Sequence, residues 1–415
     1  MEQSRKYGWK DFLSFLYILL ILISFYPYEF YSAYPFLASS NNRMTFLVLT
    51  IITMIVSVVI VAIRRRKAEK LPSVLIAIVI IQCFWMVINS IQKNRDFGFG
   101  AFITPLLALT MVHFIYSSCG IHYFIKKYNM WILLMTSMGT LAFVLVRFGL
   151  LNPLFPFVDL SDDDMMYNFG LTFSQHVESS SFAFCGFFDE PGTIAQWSLF
   201  ALLFNRLYIN NKKVEVFLIG TTLLSFSMGY YIQIIVYVIL FHAFVKKQKR
   251  NWSISVLIFI IVGVFIYSAS STKLTQNEDV YSRSIGRMIT AFEDSEKQGI
   301  AVDDREIFTE EAVVEFRQNP LWGTSKKDVN VGHNIYEPLA LYGIIGTFFL
   351  YIPFVILIIR SIRQRDYELL KCMIVIVLGF THRPFHGNLL FYFIIYSFVA
   401  MCYQRKKTSI MITNG

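Results

Sequence analysis

The sequence has few charged residues for its length. Asp, Glu, Lys and Arg make up 16% of 415 residues, whereas a soluble domain has about 25%. Hydrophobic residues make up 55%, with 41 Phe and 23 Tyr. Apolar runs of about 18 residues or more, each long enough to cross a bilayer, recur along the chain. This composition argues against a soluble globular protein and predicts a polytopic membrane protein.

Cysteine is also scarce. The five Cys residues form neither a disulfide framework nor a CxxC metal spacing. No His, Asp and Glu spacing is typical of a metal cage, and no phosphate-binding glycine loop follows a strand. We therefore expect neither a metal nor a nucleotide cofactor. The first apolar run lacks a small-residue cleavage site, so we expect a retained span rather than a signal peptide.

The net charge of +9 comes mostly from short basic clusters between the apolar runs, which argues against nucleic acid as a partner. These clusters fall in alternate loops, and Lys and Arg in short loops mark the cytoplasm. The sequence therefore predicts an all-α integral membrane bundle of about twelve transmembrane helices with both termini cytoplasmic. The clusters are Arg64–Lys67, Lys126–Lys127, Lys212–Lys213, Lys246–Arg250, Arg360–Arg365 and Arg405–Lys407.

Two long loops lie on the predicted outer side. Residues 1–270 carry nine predicted spans and include the acidic loop 151–190, which has no Lys or Arg. Residues 271–334 form a larger loop whose periodicity predicts helices, and residues 335–415 carry the last three spans and a cytoplasmic tail. Loops of this length are usually functional or disordered. Within 214–245, a break at 225–229 predicts a tight turn between two short spans.

The large loop contains two arginine motifs. Arg283 and Arg287 lie four residues apart on one helix face, and paired guanidinium groups suit phosphate oxygens. The stretch DDREIFTEEAVVEFRQNPLWG predicts a helix from Asp303 or Asp304 to Pro320. Arg305 stands in its first turn, where the helix dipole disfavours a cation, so an anionic ligand is one explanation. A solvated helix face is the alternative for both motifs.

Two further stretches place polar groups at predicted outer helix starts. In VGHNIYEPLALYGIIG, Asn334 can cap a helix that starts near residue 335, and the neighbouring His333 can accept or donate a proton. In FFDEPGTIAQ, a proline opens the helix, and Asp189 and Glu190 are candidate general bases. Ordinary helix-start chemistry is the alternative for each.

Other ionisable residues lie in or beside apolar runs. Arg147 lies near the predicted outer end of its span, where its side chain can snorkel to the interface. The last outer turn, THRPFHGN, contributes His382, Arg383 and His386. Ionisable residues within a membrane are costly and are therefore candidates for function.

Together these motifs resemble the signature of Wzy-type O-antigen polymerases and O-antigen ligases, which are membrane glycosyltransferases. In that family an arginine opens a loop helix, a Pro-x-x-Gly turn follows, and His-Asn precedes a span with Gly-x-x-Gly. FFDEPG resembles an earlier outer-loop motif of the same family. The matching residues are Arg305, Pro320 with Gly323, His333 with Asn334, and Gly343 with Gly346.

The resemblance implies a GT-C-like fold and an O-antigen polymerase at the periplasmic face of the bacterial inner membrane. Such an enzyme joins oligosaccharide repeat units carried on undecaprenyl pyrophosphate. The lipid-linked glycan is both donor and acceptor, and undecaprenyl pyrophosphate is released. Membrane lipids and a chain-length regulator protein are further implied partners.

The resemblance also implies site residues. A departing pyrophosphate needs cations, and an attacking sugar hydroxyl needs a base. The chain lacks two family cations, because residues 176–188 contain no Lys or Arg and residues 227–229 read Ser-Met-Gly. The implied catalytic residues are His333, Arg305, Glu190 and Asp189. The implied substrate-binding residues are Arg147, Arg283, Arg287, Asn334, Glu337, His382, Arg383 and His386.

Three other functions compete with the polymerase. An O-antigen ligase uses the same donor and transfers the glycan to lipid A–core; the acidic loop 151–190 and the weak arginine content favour the polymerase. A lipid-linked oligosaccharide flippase should show repeat symmetry and ionisable residues along a midplane cavity, and neither pattern is visible. A membrane scaffold would leave the His-Asn pair without a role.

The basic-loop pattern predicts the orientation of the large loop. A reporter fused after Asn319 should give the periplasmic signal, and a reporter fused after Lys247 should give the cytoplasmic signal. Paired alkaline phosphatase and green fluorescent protein fusions measure this. A cytoplasmic reading at Asn319 would overturn the predicted location of the site.

Overall fold

A computed structural model of the chain describes residues 71–92, 99–118, 121–158, 165–177, 182–188, 190–243, 304–325, 336–382 and 389–413, together with Ile52 and Ile55. These residues are mainly helical, with one small sheet. The helices are α1 Ser73–Gln92, α2 Phe99–Ser118, α3 Ile121–Arg147, α4 Pro191–Phe204, α5 Lys212–Leu223, α6 Met228–Val238, α7 Asp304–Gln318, α8 Glu337–Gln364, α9 Tyr367–His382 and α10 Leu389–Thr413. Short π-helical turns, Asn205–Ile209 and Ile239–Ala243, extend α4 and α6.

Two of the described helices, α3 and α8, are long and apolar enough to cross a membrane. Shorter apolar segments lie in α1, α2, α6 and α10. Helix α3 differs from the prediction, because the predicted basic loop at Lys126–Lys127 lies inside it. Lysine is a good helix former, so two adjacent lysines in the second turn do not by themselves end a helix.

Helix α4 lies at the centre of the packing. Every residue from Thr193 to Phe204 is buried, as expected for a helix that is apolar all round. It packs against α3, α5, α6 and α9. Tyr128 of α3 donates to the carbonyl oxygen of Trp197 at 2.9 Å. The predicted first-turn position of Pro191 is confirmed.

Helix α8 is broken at Gly343, where φ is +64° and ψ is −174°. The amide of Ile344 donates to the carbonyl oxygen of Pro320 at 2.8 Å. The amide of Ile345 donates to the carbonyl oxygen of Leu321 at 3.2 Å. The turn that follows α7 thus satisfies backbone groups that the break frees.

This turn, Pro320–Gly323, is called the docked turn below. Its contact with α8 continues at Thr324, whose amide donates to the carbonyl oxygen of Ala340 at 2.7 Å. Gly323 permits the approach, because a Cβ there would lie 2.5 Å from the carbonyl carbon of Leu341. Side chains behind the turn are small, since Ala340 packs on Ala312 of α7. The docked turn therefore packs against the broken part of α8 directly through main-chain atoms.

A second irregularity in α8 is satisfied from another helix. Pro353 has no N–H, so the carbonyl oxygen four residues earlier loses its helical donor. Gln82 of α1 supplies donors, with Nε2 3.3 Å from the Phe349 oxygen and 3.0 Å from the Leu350 oxygen. The hydroxyl of Tyr396 in α10 donates to Gln82 Oε1. One buried amide thereby ties α1, α8 and α10 together.

Within the acidic loop 151–190, three strands form a small antiparallel sheet that the sequence analysis did not predict. Its strands are β1 Phe155–Val158, β2 Met165–Asn168 and β3 Phe173–Ser174, in the order β1-β2-β3. Phe155 pairs with Asn168, and Tyr167 pairs with Ser174. One side chain from each strand contributes to a buried cluster with Cys185. The strand residues are Phe157, Met166 and Phe173.

The observed helix ends can be compared with three other predicted boundaries. The tight turn at 225–229 is confirmed, since α5 ends at Leu223 and α6 begins at Met228. The helix predicted from Asp303 or Asp304 is confirmed as α7. The predicted cap by Asn334 is wrong, because α8 begins at Glu337 and its N-cap residue is Tyr336. Pro338 in the first turn suits this later start.

The break in α8 predicts an unusually harmful alanine substitution. Gly343→Ala should detach the docked turn, because the new Cβ would overlap the carbonyl group of Leu321. Gly149→Ala is the matched control: its φ is +68°, but nothing lies within 4 Å of the added Cβ. Backbone strain alone costs about 1–3 kcal/mol, so the control should lose only that.

The measurements are the thermal unfolding midpoint in detergent and the rate of proteolysis at residues 320–325. We expect a larger fall in midpoint and faster cleavage for Gly343→Ala than for Gly149→Ala. Equal effects of the two substitutions would contradict the proposed fit between turn and break.

Candidate functional site

The docked turn brings two buried carboxylates to one junction. Glu315 of α7 is 6% exposed, and Glu337 in the first turn of α8 is 7% exposed. Ala312, one turn before Glu315, packs on Ala340 of α8. The sequence analysis named Glu337 as a substrate-binding candidate but missed Glu315. The signal for Glu315 was available, because it shares a helix face with Ala312.

The docked turn also stacks a tryptophan on α1. The Trp322 ring stacks on Trp85 of α1 with centroids 5.5 Å apart, and Trp85 stacks on Phe349 at 5.2 Å. Gly346 makes room for this stack, because a Cβ there would lie 2.7 Å from Trp85 Cζ2. Both glycines of the Gly-x-x-Gly motif therefore serve close approach, one to the docked turn and one to an indole ring.

A cavity of about 60 Å³ lies beside this stack, among α1, α8 and α10. Its wall is mainly aromatic and aliphatic. Asn89 adds a buried side-chain oxygen without a hydrogen-bond partner. Such a cavity can take a small apolar group with one hydrogen-bond donor. It is lined by Gln82, Trp85, Met86, Asn89, Tyr342, Gly346, Phe349, Leu350 and Tyr392.

A second candidate region surrounds the start of α4. Glu190 is the N-cap residue, with extended backbone at φ −135°, and its carbonyl oxygen accepts from Thr193 at 3.1 Å. The segment before it is fixed by the sheet, since the Phe173 amide donates to the Gly186 carbonyl oxygen at 2.7 Å. Phe188 then stacks on Trp197 inside α4. The sheet therefore holds Glu190 at the helix start.

Arg147 is the last residue of α3, as expected for a snorkelling position. Its guanidinium carbon lies 5.5 Å from the centroid of the Phe143 ring, and its side chain is exposed. Phe143 in turn contacts Phe182 and Phe226, at 6.4 and 5.6 Å between centroids. Arg147 thus stands where α3 meets the segment leading to Glu190 and the turn between α5 and α6.

The remaining candidates are placed only by their helices or lie outside the described residues. Arg305 is in the first turn of α7, and His382 is the last residue of α9. The first-turn position of Arg305 is as predicted, whereas His382, predicted in the turn after this helix, is the last helical residue. The candidates outside the described residues are Asp189, Arg283, Arg287, His333, Asn334, Arg383 and His386.

The described candidates thus form two groups. Glu337 and Arg305 belong to the α7–α8 unit, which packs on α1 and α9. Glu190 belongs to the α3–α4–α5–α6 unit. Helix α9 contacts α8, α6 and α4, and it ends at His382. It is therefore one element that links the two groups; α10, which contacts α8 and α3, is another.

A charged cluster missed by the sequence analysis lies at the other ends of α4, α5 and α6. Glu215 Oε1 accepts from the Tyr237 hydroxyl at 2.6 Å and lies 2.8 Å from His242 Nε2. Arg206 pairs with Glu368 of α9 at 3.2 Å. Both carboxylates of the cluster are thus paired, and breaking the buried contact between Glu215 and His242 would be costly. We interpret the cluster as a tether between helices.

The chain matches no protein-family model, and no match is found among curated proteins. The functional argument therefore depends on the residues and their geometry.

Proposed function

We propose that the chain is a membrane glycosyltransferase of the O-antigen polymerase type, with about twelve spans and a periplasmic site in the bacterial inner membrane. It joins oligosaccharide repeat units linked to undecaprenyl pyrophosphate. The observation that carries the proposal is the fit of the docked turn to the break at Gly343. Two motifs of the family resemblance, twenty residues apart in sequence, contact each other backbone to backbone.

In this contact, one of the resembling motifs satisfies the backbone polar groups that the other leaves free. Irregular backbone within a membrane is tolerated only where protein or water satisfies its polar groups. The docked turn does so, and it fixes the end of α7 against α8. The start of α7 carries Arg305, and the residues before α8 include His333. The docked turn therefore restricts the position of the helix that carries Arg305 relative to the start of α8, the helix that His333 precedes in the sequence.

The chemistry requires both groups. The acceptor hydroxyl oxygen attacks the anomeric carbon of the donor sugar, and the bond from that carbon to the phosphate oxygen breaks. The hydroxyl proton passes to a base, for which His333, Glu190 and Asp189 are candidates. The electron pair leaves with undecaprenyl pyrophosphate, whose growing charge Arg305 stabilises. Arg147, Arg283, Arg287 and Arg383 are the further cations available.

The apolar cavity beside Trp85 and Trp322 supports a lipid-linked substrate. It lies between helices near the docked turn, where the first part of an isoprenoid chain can enter from the bilayer. Its Asn89 oxygen accepts a hydrogen bond. Lipid-linked donors need no nucleotide-binding loop, in agreement with the motifs absent from the sequence.

The test is an assay of purified protein in lipid vesicles with undecaprenyl-pyrophosphate-linked repeat units. The wild type should form polymer and release undecaprenyl pyrophosphate. Arg305→Lys should lose at least tenfold in rate at normal abundance, because lysine keeps the charge but not the planar pair of donors. Arg317→Lys, at the exposed far end of α7, is the matched control and should keep wild-type rates. Chelator should have no effect.

Each other result has a defined meaning. Full activity of Arg305→Lys would remove that residue from the site. Inhibition by chelator would contradict the metal-independent mechanism. Glycan transfer to added lipid A–core without polymer would show a ligase. Transport of the lipid-linked unit without any transfer would show a flippase.

A further inference from the structure

A buried pair of amide side chains lies where α9, one of the elements linking the two groups of candidate residues, packs on α4 and α6. Gln196 of α4 and Gln233 of α6 are 4% and 3% exposed. Gln233 Nε2 donates to Gln196 Oε1 at 3.2 Å. Both lie five residues into their helices, at the same depth from Pro191 and Met228, roughly 7.5 Å at the rise of an α-helix.

A glycine brings a third helix against the pair. A Cβ at Gly379 of α9 would lie 2.8 Å from Gln196 Nε2 and 3.1 Å from Gln233 Nε2. A side chain at this position would therefore force either α9 or the two amides to shift. Gly379 is three residues before His382, roughly 4.5 Å along the helix. The contact thus lies directly below the helix ends that carry Glu190 and His382.

Two glutamines are not the residues that apolar packing alone would favour at these buried positions. Each amide offers one acceptor and two N–H donors. Gln196 Nε2 and Gln233 Oε1 make no hydrogen bond, and the same imbalance remains if both amides are flipped. Two leucines of similar size would avoid this desolvation cost. A directional contact is favoured where the relative position of elements matters more than stability.

We propose that Gln196, Gln233 and Gly379 form a positioning contact that holds α4, α6 and α9 in the register needed for glycosyl transfer. These are positioning residues that act through Glu190 and His382 and touch no substrate. The inference rests on the proposed function for its kinetic effect, but its structural part is independent of that function.

The kinetic test separates positioning from stability. Gln196→Leu and Gln233→Leu should each lower abundance and heat resistance, because each leaves one amide buried without its partner. The double variant removes both amides, so its abundance and unfolding midpoint should recover. Its kcat should nevertheless stay at least tenfold below wild type with little change in KM. Recovery of kcat together with stability would show a merely structural pair and overturn the inference.

A distance measurement tests the contact without any activity. Nitroxide labels on Ile232→Cys and Val377→Cys, both exposed, report the separation of α6 and α9 by pulsed electron resonance, with reactive native cysteines replaced. Gly379→Ala should lengthen this distance. Gly220→Ala, where nothing lies within 4 Å of the added Cβ, should leave it unchanged.

The outcomes remain distinguishable from those of the proposed function. An unchanged label distance in Gly379→Ala would overturn the positioning contact, whatever the enzyme does. A wild-type protein that forms no polymer would refute the proposed function. The label distance would then still decide whether the amide pair sets the position of α9.

Discussion

The backbone contact between the docked turn and α8 is the interaction on which the rest of the candidate site depends. A break at Gly343 frees polar groups in the second turn of a long apolar helix, and these groups need partners. The carbonyl oxygens of Pro320 and Leu321 provide them. Because the partners come from the segment after α7, that helix has one position relative to α8.

Several consequences follow from this single fit. With the turn in place, Trp322 reaches the Trp85 ring, and the stack closes one side of the apolar cavity. Glu315 and Glu337 become buried at the same junction. Glycines at both contact points are required by close approach, since an added Cβ would meet backbone rather than a movable side chain. The fold and the proposed function therefore both require glycine at these positions.

Much of the helical framework could be predicted from the sequence, because apolar runs and helix-start residues act locally. Pro191 at the start of α4 and the turn before Met228 are examples. Local signals failed where two states were close in energy. Lys126 and Lys127 looked like a loop but favour a helix nearly as well as other straight-chain residues. Asn334 has cap chemistry, yet Pro338 fits a start at Glu337 better.

Contacts between distant segments could not be predicted in this way. The Gly343 motif was recognisable, but nothing local to it shows that its partner is the turn at Pro320. The sheet in the acidic loop forms because Phe157 and Phe173 pack together across strands, and the Gln196–Gln233 pair joins helices 37 residues apart. Such contacts depend on tertiary packing, which single-sequence periodicity does not contain.

The most direct test of the account is a disulfide cross-link across the docked turn in native membranes. Leu321→Cys and Ile344→Cys place two thiols at exposed positions beside the backbone bonds of the turn, where we expect a disulfide to form. A protease site inserted between residues 326 and 335 reports the link. The account predicts that oxidised fragments stay joined until reduced, whereas the pair Leu321→Cys and Phe348→Cys separates. Separation of the first pair under oxidation would contradict the account.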